Sequence, residues 1–220
     1  MKIINLLIVS TMLVFSCHIS SALEVLNGEI IEITGPDDLE LDPSNTVLAV
    51  DVFGNGDSVI NNVEFFTDRV GLGAQVTSEG IVEKDVVSIT TTATNSIDNW
   101  ANAQTFTGSD ADSTFNLSEV MRDIRWPPAP TPLTVDIAGL NSGGIYNLKL
   151  LFNEGADRDR GWDISANGEI VVDNITSEGG DGFWSPENTF VYSGDLTADG
   201  DGNISIEMRN DINREKYNFF

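Results

Sequence analysis

An all-β fold, an antiparallel β-sandwich (jelly roll) with one short helix, is what this sequence predicts, on three observations. In the run IYNLKLLFN the apolar Tyr146, Leu148, Leu150 and Phe152 alternate with Asn147, Lys149 and Asn153. Alternation with period two marks a strand with one buried face. Apolar runs of strand length recur along the chain, separated by clusters of Gly, Asn, Asp and Ser that favour turns. Only one segment carries a convincing helical period. With 220 residues and 40% apolar composition, the chain suits one all-β domain with a filled core.

Taken in order, Glu24 to Thr34 has strand content and stops at Gly35-Pro36-Asp37-Asp38. Thr46 to Phe53 is a second apolar run, closed by Gly54-Asn55-Gly56-Asp57, and Val63 to Phe66 is a short third. Ile81 and Val82, then Val86, Val87 and Ile89, suggest two edge strands. Asn95 to Asp112 is rich in Asn, Ser, Thr and Asp and reads as a long surface loop. The helix is expected over Leu117 to Ile124, where Leu117, Val120, Met121 and Ile124 fall on one helical face. Asn116 would cap it with Glu119 as reciprocal partner, Phe115 would staple onto Val120, and Pro127-Pro128 would stop it.

Leu133, Val135 and Ile137 repeat the strand alternation, and Asn141-Ser142-Gly143-Gly144 supplies the turn into the run that holds Tyr146. GWDISANG and EIVVDNIT follow as further strands, then a Gly-rich loop over Ser177 to Asn188. Phe190 to Leu196 and Asn203 to Met208 are expected to form a hairpin around Ala198 to Gly202, with Ile204, Ile206 and Met208 inward.

Residues 1–22 read as a signal peptide: Lys2 opens it, Ile3 to Phe15 form its apolar stretch, and Ser20-Ser21-Ala22 offers small residues for cleavage before Leu23. Cys17 offers a competing, lipid-anchored start, although Phe15 makes a poor lipobox. The expected location is therefore secreted or cell-surface, with residues 23–220 as a single sandwich domain. No later apolar run is long enough to span a bilayer.

The only Cys and the only His, Cys17 and His18, lie in the leader. Its removal excludes disulfides, thiolate nucleophiles, Cys/His zinc sites and a Ser-His-Asp triad from the mature chain. The formal charge is -24, from 35 acids against 11 bases, and no Lys or Arg occurs between Lys2 and Arg69. Nucleic acid and anionic membranes need clustered cations and are poor partners for such a body.

Several blocks, in order, resemble the malectin-like and galactose-binding-domain-like jelly rolls of secreted bacterial proteins. They are Ala49-Val50-Asp51 with Phe53-Gly54, Asn62 to Phe65, Asn116 with Met121 to Trp126, and Ile137 to Leu140. Gly144 to Leu148, Leu150 to Glu154, Arg160 to Ile164, Gly168 and Val172-Asp173 continue the series, so that the likeness spans Leu41 to Met208. The resemblance implies a β-sandwich that binds carbohydrate through loops at one end, without catalysis. The chain departs from that family after Met208, where a closing apolar strand is expected and Arg209 to Phe220 matches it poorly. A missing closing strand would leave an open edge beside the core.

The candidate carbohydrate-binding residues are Trp184 and Trp100, aromatic rings in polar loops that could stack on a sugar face. Glu154, Asp157, Arg158 and Arg160 join them, because carboxylates accept and guanidinium groups donate hydrogen bonds to hydroxyls. The competing reading of that charged loop is a solvated turn whose charges pair with each other. Trp162 shares a face with Ile164 and is expected in the core, and Trp126 is expected to pack one end of the sandwich. Asp199, Asp201 and Asn203 begin like a calcium loop, but Ile204 stands where an EF-hand needs Gly and Asn210 where it needs Glu. A tight turn is the stronger reading, with a looser calcium site as the alternative. No spacing among the acids selects a glycosidase pair. The leading expectation is thus a non-catalytic glycan-binding module. The alternative is an extracellular adhesion module that packs on neighbouring proteins and uses calcium to brace its loops.

Overall fold

A computed structural model describes residues 24–69, 79–99, 105–128, 130–153, 161–176 and 189–210. Their strands in the first half are β1 (Glu24–Val25), β2 (Glu29–Glu32), β3 (Ala49–Asp51), β4 (Ser58–Ile60), β5 (Val63–Thr67), β6 (Glu79–Lys84), β7 (Val87–Thr92) and β8 (Asn95–Ile97). After helix α1 (Ala111–Val120) come β9 (Ile124–Trp126), β10 (Leu133–Ala138), β11 (Ile145–Asn153), β12 (Gly161–Ala166), β13 (Glu169–Thr176), β14 (Thr189–Thr197) and β15 (Ile204–Asn210). The protein is an all-β sandwich.

One wall is a seven-stranded sheet in the order β1-β13-β12-β15-β10-β7-β6. Facing it is a three-stranded sheet, β11-β14-β2, with a second three-stranded piece, β3-β5-β4, and the pair β8-β9. The ladders are antiparallel except β3 with β5, which run parallel in the register Ala49 to Phe65. The main core lies between the walls. Leu133, Val135, Ile137, Ile204, Ile206 and Met208 reach it from the large sheet, and Leu150, Phe152 and Tyr192 from the small one. The alternations in those strands therefore point inward as their periodicity requires. Trp162 and Ile164 are fully buried side by side on β12, and Trp126 packs against the same core. A second core gathers Leu117, Val120 and Met121 with Ile60, Val63, Phe65 and Leu39.

Five sequence-based expectations change. Phe190 to Leu196 and Asn203 to Met208 do not pair as a hairpin: β14 pairs with β11 and β2, whereas β15 pairs with β10 and β12. Both bury one face in the same core, and alternation cannot tell a hairpin from two strands facing each other across it. The Glu24 to Thr34 run breaks at Gly28 (φ +85) into two strands on opposite walls. Of the two expected edge strands only β6 is at an edge; β7 sits between β6 and β10. The stretch Asn95 to Asp112 holds β8 and the first two residues of α1 as well as loop.

The helix itself lies one to two turns earlier than its apolar spacing suggests. Asp110 is the N-cap, its carboxylate accepting from the Ser113 backbone N–H at 3.0 Å and from the Ser113 hydroxyl. That hydroxyl, then the N–H, holds the Asp110 carboxyl below its ordinary pKa. Asn116 is mid-helix and donates from Nδ2 to the Val59 carbonyl at 2.8 Å, Phe115 is exposed rather than stapled, and Ile124 belongs to β9. Leu117, Val120 and Met121 are nonetheless buried, so three of the four expected apolar positions face the core from the helix or its C-cap.

Candidate functional site

Strand register brings four chain ends together at one end of the sandwich. Asn153 pairs with Thr189 at the end of the β11–β14 ladder, and Gly161 with Thr176 at the end of β12–β13. The rings of Phe152 and Trp162, one residue inside each end, meet across the core with centroids 5.8 Å apart. The chain leaves this end at Asn153 and Thr176 and re-enters it at Gly161 and Thr189. The sugar-binding candidates Glu154, Asp157, Arg158, Arg160 and Trp184 belong to the two intervening segments and lie outside the described residues. Trp100 also lies outside them; its neighbour Asn99 is held by its backbone N–H, which donates to Asp123 Oδ1 at 2.6 Å.

The calcium-loop candidates are all described. Asp199 Oδ1 accepts from the backbone N–H of Asp201 at 2.9 Å and of Asn203 at 2.8 Å. These bonds, that of Asn203 foremost, hold its carboxyl below the usual range. Asp199 thus folds its own loop, which crosses from one wall to the other. Among the described residues no three Asp, Glu, His or Cys side chains are grouped to hold a metal ion, and no helix is long and apolar enough to cross a membrane.

A buried polar cluster joins the small β3-β5-β4 piece to the large sheet. Asp68, just past β5, and Arg125 on β9 form an ion pair with both side chains fully buried: Nε to Oδ2 is 2.8 Å and Nη2 to Oδ1 3.1 Å. Asp68 also accepts from the Phe53 N–H at 2.7 Å and from the Thr91 hydroxyl. The guanidinium carbons of Arg69 and Arg125 stand 4.6 and 5.4 Å from the Phe53 ring centroid, within cation–π range. With every Asp68 oxygen in use, the desolvated charges are compensated. Asp51, beside this cluster and 3% exposed, is different: its Oδ1 has no partner among the described residues. Burial, reinforced by Asp123, Asp68 and Asp57, pushes its carboxyl up to about 8, and burial also raises Asp123 to about 6. No sequence motif flags this cluster, because Asp68 and Arg125 are 57 residues apart.

A cavity of about 600 Å³ opens between the walls along Ile145 to Leu151 of β11. Leu48, Val50, Ile89, Val135, Leu148 and Leu150 are among its apolar lining, and Asp123, Thr91 and Tyr146 add polar atoms.

The chain matches no known family model and no curated protein. Among solved structures, the plant receptor-like kinase ANX2 superposes with a TM-score of 0.53 at 14% identity, over 88% of this chain and 52% of that one. A calcium-binding mutant of Bacteroides uniformis beta-glucuronidase 2 superposes with a TM-score of 0.49 at 15% identity, over 80% of this chain and 17% of its own. The chain thus spans about half of the kinase chain and a smaller part of the glucuronidase. The likeness to ANX2 is one of fold: both contain a β-sandwich of this kind.

Proposed function

We propose that the chain is a secreted, non-catalytic glycan-binding module of the malectin-like or galactose-binding-like type, acting through the loops at one end of its sandwich. The observation that supports this reading most directly is the convergence of strand ends. The strand ends that flank the segments carrying Trp184 and the Glu154 to Arg160 charges lie at the same end, next to the Phe152–Trp162 contact. An aromatic ring beside fork-like donors and carboxylate acceptors is the chemistry that grips a sugar, stacking on its apolar face while bonding its hydroxyls. A rigid sandwich holding variable loops suits such a role.

The test is binding to a broad panel of immobilised polysaccharides. Wild type should bind at least one glycan, and Trp184→Ala should weaken that binding tenfold or more with circular dichroism and melting unchanged. Absence of binding across the panel would sink the reading, and release of reducing sugar from a bound glycan would sink its non-catalytic part. The second reading, an adhesion module, draws on exposed apolar side chains: Val86 is 80%, Ile145 71% and Phe115 64% exposed.

A further inference from the structure

We infer that the inter-sheet cavity is a slot for one extended strand of another polypeptide, apolar at alternate positions and carrying Lys or Arg between them. One long side is the edge of β11, and the other is the stretch that leads into and includes the start of β3. The lining includes the unbroken runs Asn45 to Val50 and Ile145 to Leu151. Side chains of a strand alternate between faces, so consecutive residues can border one cavity only if the strand turns its edge toward it. Among the described residues, β11 has one ladder, with β14, and β3 one, with β5. The other edge of each has no ladder among the described residues.

Three other sheet edges among the described residues are guarded. Outer strand β6 carries Glu79, Glu83 and Lys84, β2 carries Glu29 and Glu32, and β1 is only two residues long. Short strands and edge charges prevent pairing with other chains. By contrast β11 is nine residues long with Lys149 as its single charge, and that ammonium donates to Ser193 Oγ at 3.2 Å. The lining run of β11 offers roughly 20 Å of edge at about 3.3 Å per residue, the length of an ordinary strand.

A strand fits this slot better than a small apolar molecule does. An acyl chain would cover Leu148 and Val50 but leave the outer backbone N–H and C=O groups of β11 without strand partners, whereas an added strand bonds them directly. Val47 and Ile145, 43% and 71% exposed at the border of the cavity, would receive apolar side chains of the incoming strand. Charge selects the rest of its sequence. Glu40, Asp42 and Asp123 line the slot against Lys149 alone, on a chain of net charge -24, so a cationic strand is favoured on approach. This site runs along Ile145 to Leu151 of β11 and uses none of the proposed glycan-binding residues, which follow Asn153, so either can fail without the other.

The experiment is selection of ten-residue peptides from a random displayed library on the full chain, with amide hydrogen exchange as the structural readout. Enriched peptides should alternate apolar residues with Lys or Arg, slow exchange across Ile145 to Leu151 at least tenfold, and lose binding when a central residue becomes proline. Leu148→Trp, which fills the slot, should weaken binding tenfold; if that variant does not fold, the proline peptides provide the same control. The inference is overturned if nothing enriches, or if enriched peptides leave β11 exchange unchanged. It also falls if the outer β11 amides are already as protected in the free protein as those of β14, or if palmitate displaces the peptides.

Discussion

Asp51 concentrates the residue-level physics of this protein. Its carboxyl is buried among other acids with one oxygen unpartnered, and its pKa of about 8 lies well above the ordinary carboxylate value near 4. Between those two values the folded state holds a proton that the unfolded chain has released. Stability from this group is therefore full below pH about 4 and is lost as pH rises toward 8. Asp51→Asn should remove that loss. In urea titrations the variant should gain on wild type by on the order of a few kcal/mol at pH 8 relative to pH 4; an unchanged difference would show that Asp51 is ionised without penalty. The neighbouring Asp68–Arg125 pair shows where sequence reading stops at this scale. Leu133, Ile204 and Trp162 could be placed in the core because a strand's alternation is written in adjacent residues. A partnership across 57 residues leaves no such local trace.

Among the elements, strand content was legible and strand pairing was not. The runs that became β10, β11, β12 and β15 are visible as alternation and β13 as an apolar run, and Asn167-Gly168, with φ of +51° and +85°, makes the two-residue turn of a true hairpin between β12 and β13. The β14–β15 link differs because it passes from one wall to the other, a choice made by the partners of each strand. The helix limits differ because the Asp110 cap stands about two turns ahead of Leu117, the first residue of the apolar face. Turn glycines offer a direct test of how tightly elements meet. Gly139, after β10, has φ +80° and a Cβ there would collide with the Val86 carbonyl, whereas Gly143 has φ +68° with open space around it. Gly143→Ala should cost about 1 kcal/mol from backbone strain alone. Gly139→Ala should cost about 2 kcal/mol or more. Equal urea midpoints for the two variants would refute the close approach.

For the molecule as a whole, charge is the dominant fact. A net charge of -24 opposes compaction and is relieved by salt. If calcium braces the loops, as the adhesion reading holds, millimolar calcium should raise the melting temperature beyond sodium chloride of matched ionic strength, and a chelator should reverse it. A melting temperature indifferent to chelator removes calcium from that reading. Composition and alternation settled the all-β class and the inward residues, since both are carried by local or summed properties of the chain. The assignment of strands to walls, the buried Asp68–Arg125 pair and the β11 edge flanking a cavity came only with the tertiary structure. They depend on which distant segments pack together, and that is decided by the shape of the shared core.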